Sequence, residues 1–197
     1  MRVLPLTSIQ RAYLMGRDDM FENNGISTHV YYEIVTKLSP EKFSKSFNKI
    51  IKKQSMFRAV FDKNKACQSI LDEVPYYEIV VDDWEGKCET EIVELTKEKR
   101  ERMSHTVFDV ENWPLFEINY SKISKDEFCA FISFDLLIAD GKSLADLAGL
   151  IMDDNEGIDI LSSKSMEFED FIYAKEKEKY CNYALRTTAS SDWYVAR

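Results

Sequence analysis

The sequence predicts an α/β fold, an α+β two-layer sandwich in which helices pack on a mixed sheet. Three observations carry this. Short runs rich in β-branched and aromatic residues alternate with segments of helical periodicity. Several runs pair as hairpins around polar turns, and the strand–helix order never settles into a strict βαβ repeat. The composition is globular: of 197 residues, 45% are hydrophobic and 13% aromatic, with six Gly and four Pro, which excludes a disordered tail or a low-complexity linker.

The first helix is expected from Thr7 to Arg17, with Thr7 as cap and Ile9, Ala12, Tyr13 and Leu14 as its apolar stripe. Thr28 to Thr36 (THVYYEIVT) reads as a strand. Ser39-Pro40 starts a second helix, in which Phe43, Phe47, Ile50 and Ile51 recur at helical spacing beneath a lysine-rich face. Phe57 to Phe61 and Gln68 to Leu71 are expected to form a hairpin, and Tyr76 to Val81 a further strand. Glu89 to Ser104 is a charged helix. Leu115 to Ile123 and Glu127 to Phe134 are the clearest hairpin, turning at Ser124-Lys125-Asp126. On its second strand Phe128, Ala130, Ile132 and Phe134 share one face, and Cys129, Phe131, Ser133 and Asp135 the other. A helix from about Ser143, an acidic loop from Asp153 to Asp159 and a helix from Phe168 to about Tyr183 complete the chain, which shows no dividing linker.

Twenty-six basic against 35 acidic residues give a net charge of −9, which argues against nucleic acid as a partner. The four cysteines, Cys67, Cys88, Cys129 and Cys181, are scattered, and there is neither a C-x-x-C nor a histidine cluster, so no metal site is expected. No apolar run approaches the ~18 residues of a membrane span, and the N-terminus lacks a signal-peptide core. The expectation is a soluble, cytoplasmic, reduced chain. No G-x-G-x-x-G, P-loop or G-x-S-x-G is present, so nucleotide binding and the hydrolase elbow find no support. His29 reads best as a satisfied strand histidine.

Chemistry concentrates in Phe131 to Leu144, FISFDLLIADGKSL. Asp135 ends an apolar strand, and a carboxylate there must be paired, hydrogen-bonded or facing a cavity. Asp140 stands where strand gives way to helix. In a continuous strand the two would point to opposite faces about 16 Å apart, at ~3.3 Å per residue, so they converge only if the chain turns between them. Asp140 as a helix cap is the simplest alternative.

DLLIAD-G-KSL resembles the D-x-x-x-x-D signature of the heterocyclization domains of nonribosomal peptide synthetases. These are relatives of the condensation domains, which carry H-H-x-x-x-D-G there. Asp135 and Leu136 stand at the two histidine positions, and Asp140-Gly141 keeps the D-G. Four other segments agree in order: Pro5 to Arg17 with PLTxxQxAYxxGR, His29 to Glu33 with the following strand, Ser55 to Phe61 with xMxRAxF, and Met103 to Phe116 with xSHxxFDxxxxPLF. The resemblance implies a chloramphenicol-acetyltransferase-like lobe, one of two that form a V around a tunnel. It implies that residues 1–197 are the N-terminal lobe, that the C-terminal lobe is absent, and that the isolated lobe is inactive.

The implied activity joins a carrier-bound acyl thioester to a carrier-bound Cys, Ser or Thr and cyclodehydrates the product to a thiazoline or oxazoline. No cofactor is bound directly; substrates arrive on the phosphopantetheine of peptidyl or aryl carrier proteins. Other partners are the second lobe and neighbouring synthetase modules, with no nucleic acid and no membrane. Within the lobe the resemblance implies a catalytic-site role for Asp135 and Asp140, with Asp140 paired to Arg58, and tunnel-side positions for Gln10, Tyr31 and Glu33. The alternative is a non-catalytic, condensation-like module that docks a carrier protein or partner lobe. For that alternative, Trp113, Phe116 or Phe131 on an uncovered sheet face would form an exposed apolar patch.

Overall fold

The computed structural model describes residues 2–17 and 28–145, together with positions 168, 170 and 172–174. The chain divides into two compact units, residues 1–163 and 164–197. In the second, the described positions are helical. The acidic loop, most of the expected last helix and Cys181 lie outside the described residues.

The described residues of the first unit form two sheets. A three-stranded antiparallel sheet has the order β1-β4-β3, from β1 (Arg2–Pro5), β3 (Ala59–Asp62) and β4 (Cys67–Ile70). A four-stranded mixed sheet has the order β2-β7-β6-β5, from β2 (His29–Thr36), β5 (Val80–Asp83), β6 (Phe116–Ser124) and β7 (Glu127–Asp135). Its single parallel pair is β5 with β6.

The expected helices stand almost where their caps place them. α1 is Ser8–Met15, capped by Thr7 in a capping box with Gln10. α2 is Pro40–Lys53, capped by Ser39 with Pro40 in its first turn. α3 is Glu89–Ser104. Three strand expectations need correction. β1 is an additional strand, paired with β4 through Arg2 to Pro5. Phe57 and Arg58 belong to a 3-10 turn at Ser55–Arg58, so the hairpin starts at Ala59. Tyr76 to Ile79 is not strand: the Tyr77 backbone is taken by α2, its N–H donating to Asn48 Oδ1 at 2.8 Å and its carbonyl accepting from Asn48 Nδ2 at 2.9 Å. With those groups engaged, no ladder partner can form until Val80.

Strand alternation gives the mixed sheet two unlike faces. On one, Phe116, Ile118 and Tyr120 of β6 join Phe128, Ala130, Ile132 and Phe134 of β7 in a core with Phe43, Phe47, Ile50 and Ile51 of α2. Phe47 is the hub: it stacks on Phe43 at 5.5 Å and meets Phe57, Tyr77, Phe116 and Phe134 edge-on at 5.2–6.1 Å. The other face is more polar and carries α3 over a smaller cluster of Trp84, Met103, Cys129 and Phe131. Phe116 and Phe131 are therefore both buried and Trp113 is half-buried, so these three form no exposed patch.

Tyr120 is fully buried and its hydroxyl has no hydrogen-bond partner among the described residues. A buried, unmatched hydroxyl opposes folding. Tyr120→Phe should therefore leave the protein as stable or more stable, by up to about 1–2 kcal/mol in urea denaturation; a loss of stability would show that the hydroxyl is bonded after all.

Candidate functional site

The site is built at the end of β7. Asp135 is the last residue of the strand, still in register with His29 of β2, and its N–H donates to Leu115 O at 3.0 Å. Alternation puts its side chain on the α3 face, where it is fully buried. The chain then turns sharply: Ile138 N donates to Asp135 O at 3.2 Å, and Leu137 N donates to Asp135 Oδ1 at 2.9 Å. Leu136 N donates to Thr28 O at 3.0 Å. The second carboxylate oxygen of Asp135 forms an ion pair with Arg17 Nη2, a guanidinium whose side chain is only 3% exposed. Arg17 follows α1 directly, and its Nη1 also reaches Phe108 O at 3.5 Å.

Asp140, five residues on, is exposed and caps the helix that begins at 141. Its Oδ1 accepts from Ser143 N at 2.8 Å and from Ser143 Oγ at 2.7 Å, and these bonds hold its carboxyl below the usual range. The pairing expected with Arg58 is not formed. Arg58 sits in the 3-10 turn and its Nη1 donates to Lys52 O at 3.2 Å, at the end of α2. The capping alternative holds because Asp140 stands in solvent, where a cap satisfies orphan amides and no buried charge needs an arginine. The buried carboxylate in need of a cation is Asp135, and Arg17 supplies it.

Gln10 is buried and fully engaged. Its Oε1 accepts from Thr7 N at 3.0 Å, and its Nε2 donates to Leu137 O at 3.0 Å and to Gln68 Oε1 at 3.0 Å. It thus ties α1 to the turn after Asp135, with both of its amide hydrogens engaged inside the fold.

Tyr31 and Glu33 lie together on β2, with the Tyr31 hydroxyl donating to Glu33 Oε1 at 2.8 Å. Glu33 is held at both oxygens by Arg100 of α3, Nε to Oε1 at 2.6 Å and Nη2 to Oε2 at 2.7 Å. The guanidinium lowers the Glu33 pKa, while burial and the Glu33 carboxylate push the Tyr31 phenol up. Neither group is poised to exchange protons near neutrality. Two further α3 cations take carboxylates on the other strands: Arg102 holds Glu117 of β6 at 3.0 and 2.7 Å, and Lys99 pairs with Asp82 of β5 while lying over the Trp84 and Phe131 rings at 5.2 and 4.9 Å. The buried Cys129 thiol is pushed up to about 11, chiefly by burial, so it is no nucleophile at neutral pH.

Arg17 stood in the sequence within the GR of the opening segment, a signal for its importance though not for its partner. Gln68, Arg100 and Arg102 carry no such signal.

A two-sheet α/β unit with a D-x-x-x-x-D-G turn at the end of a buried strand defines a class, and comparison with known proteins agrees. The family model described as condensation domain matches residues 1–185, and the chain belongs to that family. It is 32% identical over 174 residues to bacitracin synthase 1 of Bacillus licheniformis, covering 87% of this chain and 3% of that protein. It is 27% identical over 199 residues to pyochelin synthetase PchF of Pseudomonas aeruginosa, covering 98% of this chain and 11% of that protein. Among solved structures, the cyclization-docking bidomain of EpoB from Sorangium cellulosum superposes with a TM-score of 0.74 at 24% identity, over 95% of this chain and 39% of that one. The X-domain complex with OxyB from teicoplanin biosynthesis has a TM-score of 0.67 at 14% identity, over 90% of this chain and 38% of the matched one. The chain thus spans a small part of each synthetase and well under half of each structural match. Among the described residues no helix is long and apolar enough to cross a membrane.

Two predictions follow from these bonds. Because Asp140 acts as a cap, Asp140→Asn should be nearly neutral and Asp140→Ala should cost about 0.5–2 kcal/mol in chemical denaturation. A loss of about 3–5 kcal/mol for the Asn variant would instead indicate a buried ion pair. Glu33 has a folded pKa below its ordinary value, so its pairing adds stability above about pH 4.3 that is lost as pH falls through the folded pKa. The stability gap between wild type and Glu33→Gln should therefore close on acidification; a gap that widens would reverse the sign of this coupling.

Proposed function

We propose that this chain is the N-terminal lobe of a heterocyclization domain in a nonribosomal peptide synthetase. The complete domain condenses a carrier-bound acyl thioester with carrier-bound Cys, Ser or Thr and closes the side chain onto the new amide with loss of water. Substrates reach it on phosphopantetheine arms of carrier proteins, and the second wall of its tunnel comes from a C-terminal lobe.

The observation that carries this reading is the turn itself. Asp135 and Asp140-Gly141 bracket Leu136 to Ala139, four apolar residues where the related H-H-x-x-x-D-G segment would present a second histidine. Leu136 can neither take nor give a proton, so an ordinary condensation mechanism through that position is disfavoured. The likeness to a pyochelin synthetase and to a cyclization-docking bidomain supports the same choice.

In this reading both aspartates act on shape. Asp135 closes the strand end through Arg17 and Leu137 N, and Asp140 starts the next helix. Gln10 holds the turn from α1, and Tyr31 and Glu33 fasten β2 to α3. The groups that drive dehydration then lie in the other lobe.

The test joins this lobe to its C-terminal partner and supplies acyl-loaded and cysteinyl-, seryl- or threonyl-loaded carrier proteins. Intact mass spectrometry of the acceptor carrier should find the condensed product lighter by one water. A condensed product that keeps its water would make this an ordinary condensation domain. Carrier binding without any condensation would support a docking module instead.

A further inference from the structure

We propose that Gln68 is a positioning residue for the D-x-x-x-x-D turn, acting through Gln10; the catalytic part of this proposal rests on the heterocyclization reading above. Gln68 lies in the middle of β4, in the three-stranded sheet, and is fully buried. It forms a reciprocal amide pair with Gln10: Gln10 Nε2 donates to Gln68 Oε1 at 3.0 Å, and Gln68 Nε2 donates to Gln10 Oε1 at 3.1 Å. The second Nε2 hydrogen of Gln68 goes to Pro5 O at 2.9 Å, at the end of β1.

This pair has a fixed polarity. Gln10 Oε1 must face Thr7 N, whose N–H it caps, so the amide cannot flip. Nε2 is thereby aimed at two acceptors, Gln68 Oε1 and the carbonyl of Leu137. Leu137 stands between Asp135 and Asp140, and its N–H is already held by Asp135 Oδ1. The turn is thus gripped on one side by the Asp135 carboxylate and on the other by Gln10. Gln68 keeps Gln10 in that grip, because without it Gln10 loses one of its two acceptors and one of its two donors. The three-stranded sheet is in this way connected to the turn through two side chains.

Toward Gln10 a neutral carboxyl can replace the Gln68 amide, at the loss of the bond to Pro5 O, and a carboxylate cannot. Protonated, its O–H donates to Gln10 Oε1 and its carbonyl accepts from Gln10 Nε2, which restores the reciprocal pair. Ionised, it faces Gln10 Oε1 and Pro5 O with no hydrogen to offer. Burial raises the pKa of such a group above the ordinary carboxylate range.

The experiment uses the complete two-lobe protein with Gln68→Leu and Gln68→Glu. Hydrogen exchange of the 136–140 segment is followed by mass spectrometry, and turnover is followed with loaded carriers. In Gln68→Leu, exchange at 136–140 should quicken and kcat should fall by about tenfold or more, as expected when a reacting geometry loosens, with KM for the carriers unchanged. In Gln68→Glu, both readouts should approach wild type at about pH 5.5 and match the Leu variant at about pH 8, crossing at the raised pKa.

Exchange and turnover at wild-type levels in both variants would overturn the proposal. So would a Glu variant whose ratio to wild type is flat with pH. If Gln68→Leu fails to fold, the Glu variant decides alone. A pH-dependent exchange response in a protein that forms no heterocycle would uphold the positioning of the turn and overturn the functional reading.

Discussion

The buried ion pair between Arg17 and Asp135 is the constraint on which the rest of this structure depends. A carboxylate at the end of a strand as apolar as β7 carries a desolvation penalty of several kcal/mol unless it is matched. Arg17 matches it from the end of α1, and Leu137 N adds a bond from the turn itself. Three stretches remote in sequence must therefore meet at one point: the end of α1, the end of β7, and the Phe108 carbonyl that receives Arg17 Nη1. The turn that follows, with Leu136 half-buried against the apolar core and Asp140 starting a helix, takes its shape from that meeting.

The two faces of the mixed sheet divide the remaining work. The α2 face is held by aromatic burial centred on Phe47, an interaction that involves no titrating group. The α3 face is held by a small apolar cluster and by three cations within four residues, Lys99, Arg100 and Arg102. Each of these takes a carboxylate on a different strand. Partly exposed pairs of this kind contribute little individually. What they add is registration: a helix with one buried apolar residue, Met103, is tied to three different strands by charge pairs.

Much of the fold was legible in the sequence because its signals are local. Thr7, Ser39-Pro40 and the alternation of β6 and β7 set the caps, the periods and the faces, and the structure keeps them. The strand β1 was not legible, since four residues ending in Pro5 make sense only beside β4. The break at Tyr77 depends on Asn48, 29 residues away. At the site, the need of Asp135 for a partner was legible from its apolar neighbours, but which arginine answers it was not. The resemblance assigns Arg58 to Asp140 and names no partner for Asp135; the fold leaves Arg58 at the end of α2 and brings Arg17 to Asp135. The capping role of Asp140 was legible as an alternative, from the position of the residue alone.

This arrangement gives the condensation-domain chain a turn held at Leu137 from both sides, by the Asp135 carboxylate and by Gln10. The central claim is that Asp135 and Arg17 act as one unit. A double-mutant cycle with Asp135→Leu and Arg17→Met, read by chemical denaturation, tests it most directly. Each single substitution strands one buried charge and should cost about 3–5 kcal/mol, whereas the double variant should cost far less than their sum. Additive losses in the double variant would contradict the account, because they would mean that the two charges are solvated or paired independently.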